Sequence, residues 1–275
     1  NLPCSVFIDA TPSDDPVEFY EEVFNANISI ATPNKKANSA DFELYKRLKE
    51  TARKRGVVFA YETNVGAGLP VIGTLRDLIQ SGDQILKIEA VLSGTLSFIF
   101  NEFSKDQLFT QVVKNAKSLG YTEPDPREDL NGMDAARKLL ILIRECGFAL
   151  EMEQLNLEGL LDEKSLQADS VEKFFEVLAD RNQEFEDKRQ QAELEGKRLR
   201  YVATFDRKTA DVSLKAVDAT HPFYNLSGTD NMIVFTTQRY QDTPLVIRGP
   251  GAGAEVTAAG VFSDFMKSAT IGGQS

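Results

Sequence analysis

The sequence predicts an α/β protein in which a truncated doubly wound (Rossmann-like) layer is joined to an α+β domain with a mixed sheet. Three observations support this class. The first 64 residues alternate short apolar strands with amphipathic helices, a pattern typical of a parallel sheet with helical crossovers. Residues 200–249 alternate apolar and polar positions, as antiparallel strands do. The chain between these parts is mainly helical.

In the opening layer, "CSVFIDAT", "ISIAT" and "VVFAYET" are predicted strands, and "PVEFYEEVFNAN" has apolar residues at helical spacing. A longer helix in "SADFELYKRLKETARKRG" is expected to begin at a Ser39 cap and to end at Gly56. Doubly wound nucleotide-binding folds place G-x-G-x-x-G after their first strand, whereas "GAGLP" and "GPGAG" here lie elsewhere and do not match it. We therefore expect the chain to begin inside a dinucleotide-binding domain.

Beyond Gly66, "LPVIGTLRDLIQSG" predicts a helix and "ILKIEAVLSG" a strand. Residues 151–199 are predicted to be helical, with "DRNQEFEDKRQQAELEGKRL" as a solvent-facing helix because it has almost no apolar face. Four predicted strands and a helix in "AEVTAAGVFSDFMKSA" complete the chain. The predicted domains are 1–64, joined by the returning helix 250–270, and a substrate-binding and dimerisation domain over 65–249.

Composition excludes several classes of partner. The 275 residues have a net charge of −11, which disfavours nucleic acid, and no apolar run is long enough to span a membrane. Cys4 and Cys146 lie in apolar surroundings without Cys/His zinc spacing. This usage predicts two buried thiols in a cytoplasmic protein.

Acidic residues are concentrated in "TEPDPREDLNGMDAARK". One interpretation is a solvated acidic loop that enters a helix. The other is a substrate site, because Asp134 and Lys138 share one face of a helix predicted over Met133 to Glu145, and the following "LLILI" buries that helix. Two prolines stiffen the preceding loop and orient Glu123 and Asp129. Carboxylates beside a proton-carrying lysine suit a zwitterionic amino-acid substrate.

Five segments together resemble the homoserine dehydrogenase family: "ATPNKKANS", "YETNVGAGLPVIGTL", "VLSGTLSFIFNEF", "AKSLGYTEPDPREDLNGMDAARKLLIL" and "RGPGAGAEVTAAGVFSD". The resemblance covers nearly the whole chain except residues 165–197. It is closest in character to the dehydrogenase part of bifunctional aspartokinase/homoserine dehydrogenases. It implies NAD(P)-dependent interconversion of homoserine and aspartate 4-semialdehyde in threonine, methionine and isoleucine biosynthesis, by a homodimer.

The resemblance also implies roles for individual residues. The catalytic residues it implies are Lys138 and Lys35. The residues it implies for substrate binding are Glu123, Asp129 and Asp134. The residues it implies for NADP or NAD binding are Thr11, Lys35 and Gly251. A loop for a monovalent cation such as Na⁺ is implied at the Glu62 side chain and the carbonyls of Val65, Ala67 and Leu69.

Two alternatives from other classes remain open at this point. One is a dimerisation module in which the strands after Leu199 pair across a two-fold axis and no cofactor binds. The other is an aldehyde-oxidising dehydrogenase, which would need a nucleophilic cysteine near a histidine; Cys146 inside an apolar helix does not meet that need. His221, the only histidine, is expected in a turn. The enzymatic hypothesis requires Lys138 and its acidic neighbours to converge on one pocket facing "TPNKK" and "GPGAG".

Overall fold

The computed structural model describes residues 5–272, with side chains described up to residue 269. The helices and strands follow one another as β1 (Val6–Ile8), α1 (Tyr20–Asn25), β2 (Ser29–Ala31), α2 (Lys36–Ser39), α3 (Phe42–Arg55), β3 (Phe59–Ala60), α4 (Ile72–Gln80), β4 (Ile85–Val91), α5 (Gly94–Glu102), α6 (Phe109–Ser118), α7 (Arg127–Leu130), α8 (Met133–Glu145), β5 (Asn156–Leu157), α9 (Glu163–Leu166), α10 (Val171–Ala179), α11 (Asn182–Leu194), β6 (Arg198–Phe205), β7 (Ala210–Val217), β8 (Asp230–Thr237), β9 (Leu245–Pro250) and α12 (Ala254–Gly272).

The chain forms two compact units. Unit 1 comprises Asn1–Gln84, Arg137–Gln154 and Pro250–Ser275, and unit 2 comprises Ile85–Ala136 and Leu155–Gly249. The boundary therefore falls within α8, so that the first turn of this helix belongs to unit 2 and the rest to unit 1.

Unit 1 contains a parallel three-stranded sheet in the order β1-β2-β3, with Phe7 opposite Ile30 and Ile30 opposite Phe59. Aromatic side chains from α1 pack edge-to-face on the sheet: the Phe59 ring lies 5.8 Å from Tyr20 and 5.4 Å from Phe24. The parallel, helix-covered layer predicted from the strand–helix alternation is confirmed.

The helix cap predicted in this layer is wrong by two residues. Asp41, not Ser39, caps α3, because its side chain accepts a hydrogen bond from the Leu44 N–H at 2.8 Å. Ser39 instead ends the short helix α2, and its hydroxyl donates back to the Lys35 carbonyl. The predicted stop is confirmed, since Gly56 has the left-handed conformation, with φ of 65°.

Unit 2 is built on a six-stranded sheet in the order β5-β7-β6-β4-β8-β9. The neighbours β4 and β6, β4 and β8, and β6 and β7 are antiparallel, whereas β5 and β7 are parallel. The predicted mixed sheet is therefore confirmed, and the whole has the predicted α/β class.

The region 151–199 differs from the prediction in two respects. It is not continuously helical, because it includes the strand β5 and several short helices. Its charged helix α11 is not simply solvent-facing, because Phe185, Arg189 and Ala192 are buried. Phe185 stacks on Phe109 with ring centroids 3.7 Å apart, so a narrow apolar stripe attaches the helix to the core.

Cys146 is half-buried rather than buried as predicted, because it lies at the end of α8, where the chain turns at Gly147. The corresponding prediction for Cys4 falls outside the described residues. Within residues 5–272, every helix is too short or too polar to cross a membrane.

Candidate active site

Unit 1 collects polar side chains at the carboxyl ends of β1 and β2, the edge at which parallel α/β sheets bind ligands. Asp9 follows β1 and is buried. One of its oxygens accepts hydrogen bonds from the Thr11 N–H and hydroxyl, each at 2.8 Å; the other accepts from Tyr20 at 2.6 Å and from Asn34 at 2.9 Å. Burial acts to raise the pKa of Asp9, but these hydrogen bonds outweigh it and hold the pKa below its usual value.

Lys35 lies directly after this network, at the start of α2, and its backbone is held by asparagines. Its carbonyl accepts from the Asn38 N–H at 3.1 Å. The Asn38 amide donates to the Asn64 side chain at 2.8 Å, and Asn64 donates to the carbonyl of Asn34 at 3.4 Å. These buried amides fix the chain on both sides of Lys35.

A largely apolar cleft of about 800 Å³ opens at the same edge. Ile8 and Ala10 line it from the end of β1, Pro33 lines it from the end of β2, and the remaining walls come from Gly253 and the first turns of α12. Gly251, one of the predicted cofactor contacts, is buried just before this helix. Ligand pockets have this size and are lined predominantly by apolar side chains, as this cleft is.

The loop predicted to bind a cation has a clear structural role of its own. The Glu62 carboxylate caps α4, accepting hydrogen bonds from the Ile72 N–H at 2.7 Å and the Gly73 N–H at 2.8 Å. The Glu62 N–H in turn donates to Asp264 of α12 at 2.8 Å. Burial raises the pKa of Asp264 to about 6.

The three carbonyls of this loop differ in their contacts. The Leu69 carbonyl accepts the Val71 N–H at 2.9 Å. Ala67 has a φ of 52°, which bends the backbone sharply between Val65 and Leu69. Helix α12 passes this loop so closely that a Cβ atom added at Gly260 would overlap Thr63 and lie 3.2 Å from the Ala67 carbonyl.

Helix α8 carries Asp134 and Lys138 four residues apart, as predicted. The Asn131 side chain accepts a hydrogen bond from the Met133 N–H at 2.8 Å, which confirms the predicted start. Lys138 is buried, with 9% of its surface exposed, and Asp134 is half-buried. The leucine and isoleucine run that directly follows Lys138 is fully buried, so Asp134 and Lys138 lie on a polar face at the start of a largely buried helix.

Unit 2 brings Glu123 and Asp129 together. The Glu123 N–H donates to one oxygen of Asp129 at 2.8 Å, and the Thr95 hydroxyl donates to the other at 2.9 Å. Burial raises the pKa of Asp129; these hydrogen bonds act in the opposite direction, while the negative charges of Glu123 and Asp134 raise it further. The Glu123 side chain is exposed.

Two further residues, one in each unit, were not predicted. Thr95 lies in "SGTLSFIF", where the hydroxyl was visible in the sequence but its partner was not. Glu145 ends α8 on the same face as Lys138. His221 occupies a turn as predicted, and its Nδ1 accepts the Phe223 N–H at 3.2 Å. In the part of the chain that is described, His, Cys, Asp and Glu form no group of three suited to a metal ion.

The parallel layer, its cleft and the polar network at its carboxyl edge define an α/β protein of the dinucleotide-binding class. A family model described as the NAD-binding domain of homoserine dehydrogenase matches residues 2–62, and the homoserine dehydrogenase model matches residues 70–266. The chain belongs to the homoserine dehydrogenase family.

Individual relatives agree with this assignment. The chain is 45% identical over 271 residues to homoserine dehydrogenase of Schizosaccharomyces pombe, covering 96% of this chain and 72% of that protein. It is 46% identical over 268 residues to the chloroplastic bifunctional aspartokinase/homoserine dehydrogenase 1 of Arabidopsis thaliana, covering 97% of this chain but 29% of that protein. The structure of a hyperthermophilic archaeal homoserine dehydrogenase in complex with NADPH matches with a TM-score of 0.74 at 26% identity, covering 96% of this chain and 71% of that one.

Proposed function

We propose that this protein is an NAD(P)-dependent homoserine dehydrogenase, which interconverts homoserine and aspartate 4-semialdehyde. The observation that carries the proposal is the polar face of α8, where Asp134 and the buried Lys138 lie one turn apart on a largely buried helix. Family membership supports it. A buried lysine can take a proton from a hydroxyl group or return it, and carboxylates can bind an ammonium group through ion pairs.

The acidic groups of unit 2 support a cationic ligand in particular. Asp129 already has a raised pKa, to which its acidic neighbours Glu123 and Asp134 contribute. An ammonium group placed among like charges relieves their repulsion, so these groups favour an amino acid over a neutral alcohol. We assign Glu123 and Asp134 to the ammonium of homoserine, and Asp129 to holding the Glu123 backbone in place.

The residues at the carboxyl edge of unit 1 fit a dinucleotide. Thr11, Lys35 and Gly251 are one or two positions along the chain from residues that line the apolar cleft. NAD(P) supplies the hydride acceptor for alcohol oxidation when it is bound. The chain's own task is then to hold the substrate carbon in position and to take the hydroxyl proton. We assign that proton to the Lys138 amine and a supporting position to Lys35.

Replacement of Lys138 tests the proposal. Lys138→Ala should lower kcat for homoserine oxidation by about two to four orders of magnitude, the range for a positioned acid–base group. Lys46→Ala, which removes an exposed lysine from α3 of the same unit, is the matched control and should retain full activity. A Lys138→Ala protein with near-normal turnover would exclude Lys138 as the proton carrier.

We further propose that the Glu62 loop binds a monovalent cation through the Glu62 carboxylate and the carbonyls of Val65, Ala67 and Leu69. Each Glu62 oxygen accepts one N–H and retains a second lone pair, and oxygen ligands suit hard cations. Exchanging Na⁺ for choline at constant ionic strength should lower the melting temperature of this protein. An unchanged melting temperature would exclude a cation of this kind as a structural ligand.

We also propose that the protein is a homodimer formed through the strands that follow Leu199. The edge strand β9 supports this, because its residues alternate between half-buried and exposed and Val246 is 42% exposed. Light scattering after gel filtration should give twice the chain mass, and Val246→Lys should shift that mass toward the monomer. A monomeric parent protein would contradict the proposal.

A further inference from the structure

We propose that Glu145 is a positioning residue that holds Lys138 in place through the C-terminal end of α8. The inference rests on the proposed function, since Lys138 is the proton carrier of that proposal. None of the roles assigned above involves Glu145.

Helix geometry places Glu145 and Lys138 on one face. The two residues are seven positions apart, which is close to two full turns, and Asp134 lies a further turn toward the start of the same face. At about 1.5 Å per residue, Glu145 lies about 10 Å along the axis from Lys138. Sharp kinks in helices occur mostly at proline or glycine, and α8 contains neither, so a displacement of Glu145 is expected to move Lys138 with it.

The Glu145 carboxylate is the centre of a buried cluster within unit 1. It forms ion pairs with Lys49 of α3 at 3.1 Å and with Arg76 of α4 at 2.7 Å. The Tyr61 hydroxyl, just after β3, donates to it, and the Tyr45 hydroxyl donates from 3.2 Å. Four groups from three neighbouring segments therefore converge on one side chain of α8.

The cluster depends on the negative charge. Only 3% of the Glu145 side chain is exposed. Burial acts to raise its pKa, but the charges of Lys49 and Arg76 and the hydrogen bonds outweigh burial and lower the pKa to about 2. Without the carboxylate, two cations would face each other around the Tyr61 ring, which they approach to 4.9 and 4.7 Å. Repulsion would then separate α4 and α3 from the end of α8.

The same contacts form a closed circuit of linked residues that includes the predicted cation loop. Tyr61 precedes Glu62, whose carboxylate caps α4, and α4 carries Arg76 back to Glu145. Each link is a hydrogen bond or an ion pair between elements of unit 1. The circuit therefore fixes the end of α8 relative to the parallel layer that holds the proposed cofactor site.

The first readout is steady-state kinetics of Glu145→Gln, which keeps the side-chain shape and removes the charge. We expect kcat for homoserine oxidation to fall about 10- to 100-fold, because a shift of about 1 Å in a catalytic group costs this much. The KM for homoserine should change less than about threefold, because the proposed ammonium ligands belong to unit 2. Glu145→Asp, which keeps the charge and withdraws it by one carbon, should restore part of kcat.

The matched control is Glu151→Gln. Glu151 also pairs with an arginine of α8, Arg144 at 2.9 Å, but Arg144 keeps its bonds to the carbonyls of Leu150, Asn38 and Ala40. This variant should leave kcat within about twofold of the parent value, because Glu151 is 41% exposed and a glutamine side-chain oxygen can still accept from Arg144 or from the Phe42 N–H. Equal losses in both variants would show a general effect of removing ion pairs and would overturn the proposal.

The second readout does not need catalysis. The rate at which an amine-specific acylating reagent modifies Lys138, measured by mass spectrometry relative to Lys46, should rise about threefold in Glu145→Gln. Lys138 is only 9% exposed, and loosening the end of α8 makes its amine more accessible to the reagent. It should not change in Glu151→Gln. An unchanged rate in both variants overturns the positioning role whether or not the protein oxidises homoserine; absence of homoserine oxidation in the parent protein overturns only the proposed function. If Glu145→Gln does not fold, the same comparison is made with Glu145→Asp.

Discussion

The two units hold their candidate functional carboxylates in opposite ways. In unit 1, Asp9 and Glu145 are surrounded by donors, and their pKa values are lowered despite burial. In unit 2, Asp129 accepts two hydrogen bonds yet has a raised pKa, because burial and the neighbouring charges of Glu123 and Asp134 prevail. Asp9 and Glu145 thus hold a framework in unit 1, where Asp264, with its raised pKa, is the exception, whereas Glu123, Asp129 and Asp134 of unit 2 concentrate negative charge that a cationic ligand can neutralise. Substitutions in unit 1 should therefore affect geometry and kcat, and those in unit 2 should affect affinity.

The largest loss in the free energy of unfolding is expected from glycine substitutions at the ends of α8. The two ends of this helix belong to different units. In unit 2, Gly132 has a φ of 75°, and an added Cβ would overlap the Tyr201 hydroxyl and lie 3.0 Å from Leu157. We expect Gly132→Ala to lower the free energy of unfolding by about 3–5 kcal/mol, which combines strain with overpacking. Gly147→Ala at the unit 1 end, where φ is 86° and no atom lies within 4 Å of the added Cβ, should cost only about 1–2 kcal/mol. Urea unfolding measures both, and equal losses would contradict the role of Tyr201.

The second largest loss of folding stability is expected at low pH, where acid protonates Glu145. Because the pKa of Glu145 is lowered from 4.5 to about 2 in the folded protein, the carboxylate stabilises the fold above pH 4.5, and this stabilisation is lost as pH falls toward 2. The loss should be on the order of 3 kcal/mol. Glu145→Gln should flatten the pH dependence of unfolding over this interval, whereas Glu153→Gln, which changes an exposed residue of unit 1, should not. Parallel pH curves for both variants would argue against the cluster.

A charge removed from unit 2 should alter affinity. We expect Asp134→Asn to raise the KM for homoserine about 10- to 100-fold, since a hydrogen bond to a charged group contributes about 1.5–3 kcal/mol. The kcat at saturating homoserine should remain within about threefold of the parent value. Asp169→Asn, at an exposed position of the same unit, is the control. A large fall in kcat at unchanged KM would assign Asp134 to the chemical step instead.

The smallest expected loss of folding stability comes from removing helix caps, and the two units can be compared here. Glu62→Ala removes acceptors from two N–H groups at the start of α4 and should cost about 1–2 kcal/mol. In unit 2, Ser93→Ala removes one bond, from the Leu96 N–H at 3.2 Å, and should cost about 0.5–1 kcal/mol. Denaturation in choline buffer without Na⁺ separates capping from any cation effect. Equal costs would indicate that one of the two Glu62 bonds contributes little.

The alternation of strands and helices predicted the parallel layer and the mixed sheet well, because hydrophobic periodicity directly reflects which faces are buried. Helix caps and short strands were less predictable. Ser39 and Asp41 are both good caps, and Asp41 is used because Ala40 between them is extended, with ψ of −174°. The strand β5 has only two residues and is set by pairing with β7, a distant segment that local sequence does not specify.

The candidate site shows the same division. The spacing of Asp134 and Lys138 was visible because both lie on one helix. The bonds to Asp129 from Thr95 and from the Glu123 N–H link segments up to 34 residues apart, and only folding brings them together. Glu145 carried a signal that was available, since it continues the face of Lys138 after "LLILI". Its partners Lys49 and Arg76 were not recognisable among the other charged residues.

The close passage of α12 over the Glu62 loop limits how the sequence can vary there. Any side chain at position 260 would press on Thr63 and on the Ala67 carbonyl, so the loop and the helix can change only together. Libraries intended to reshape the cleft should therefore randomise the α12 residues that line it, such as Thr257 and Val261, and keep position 260 as glycine.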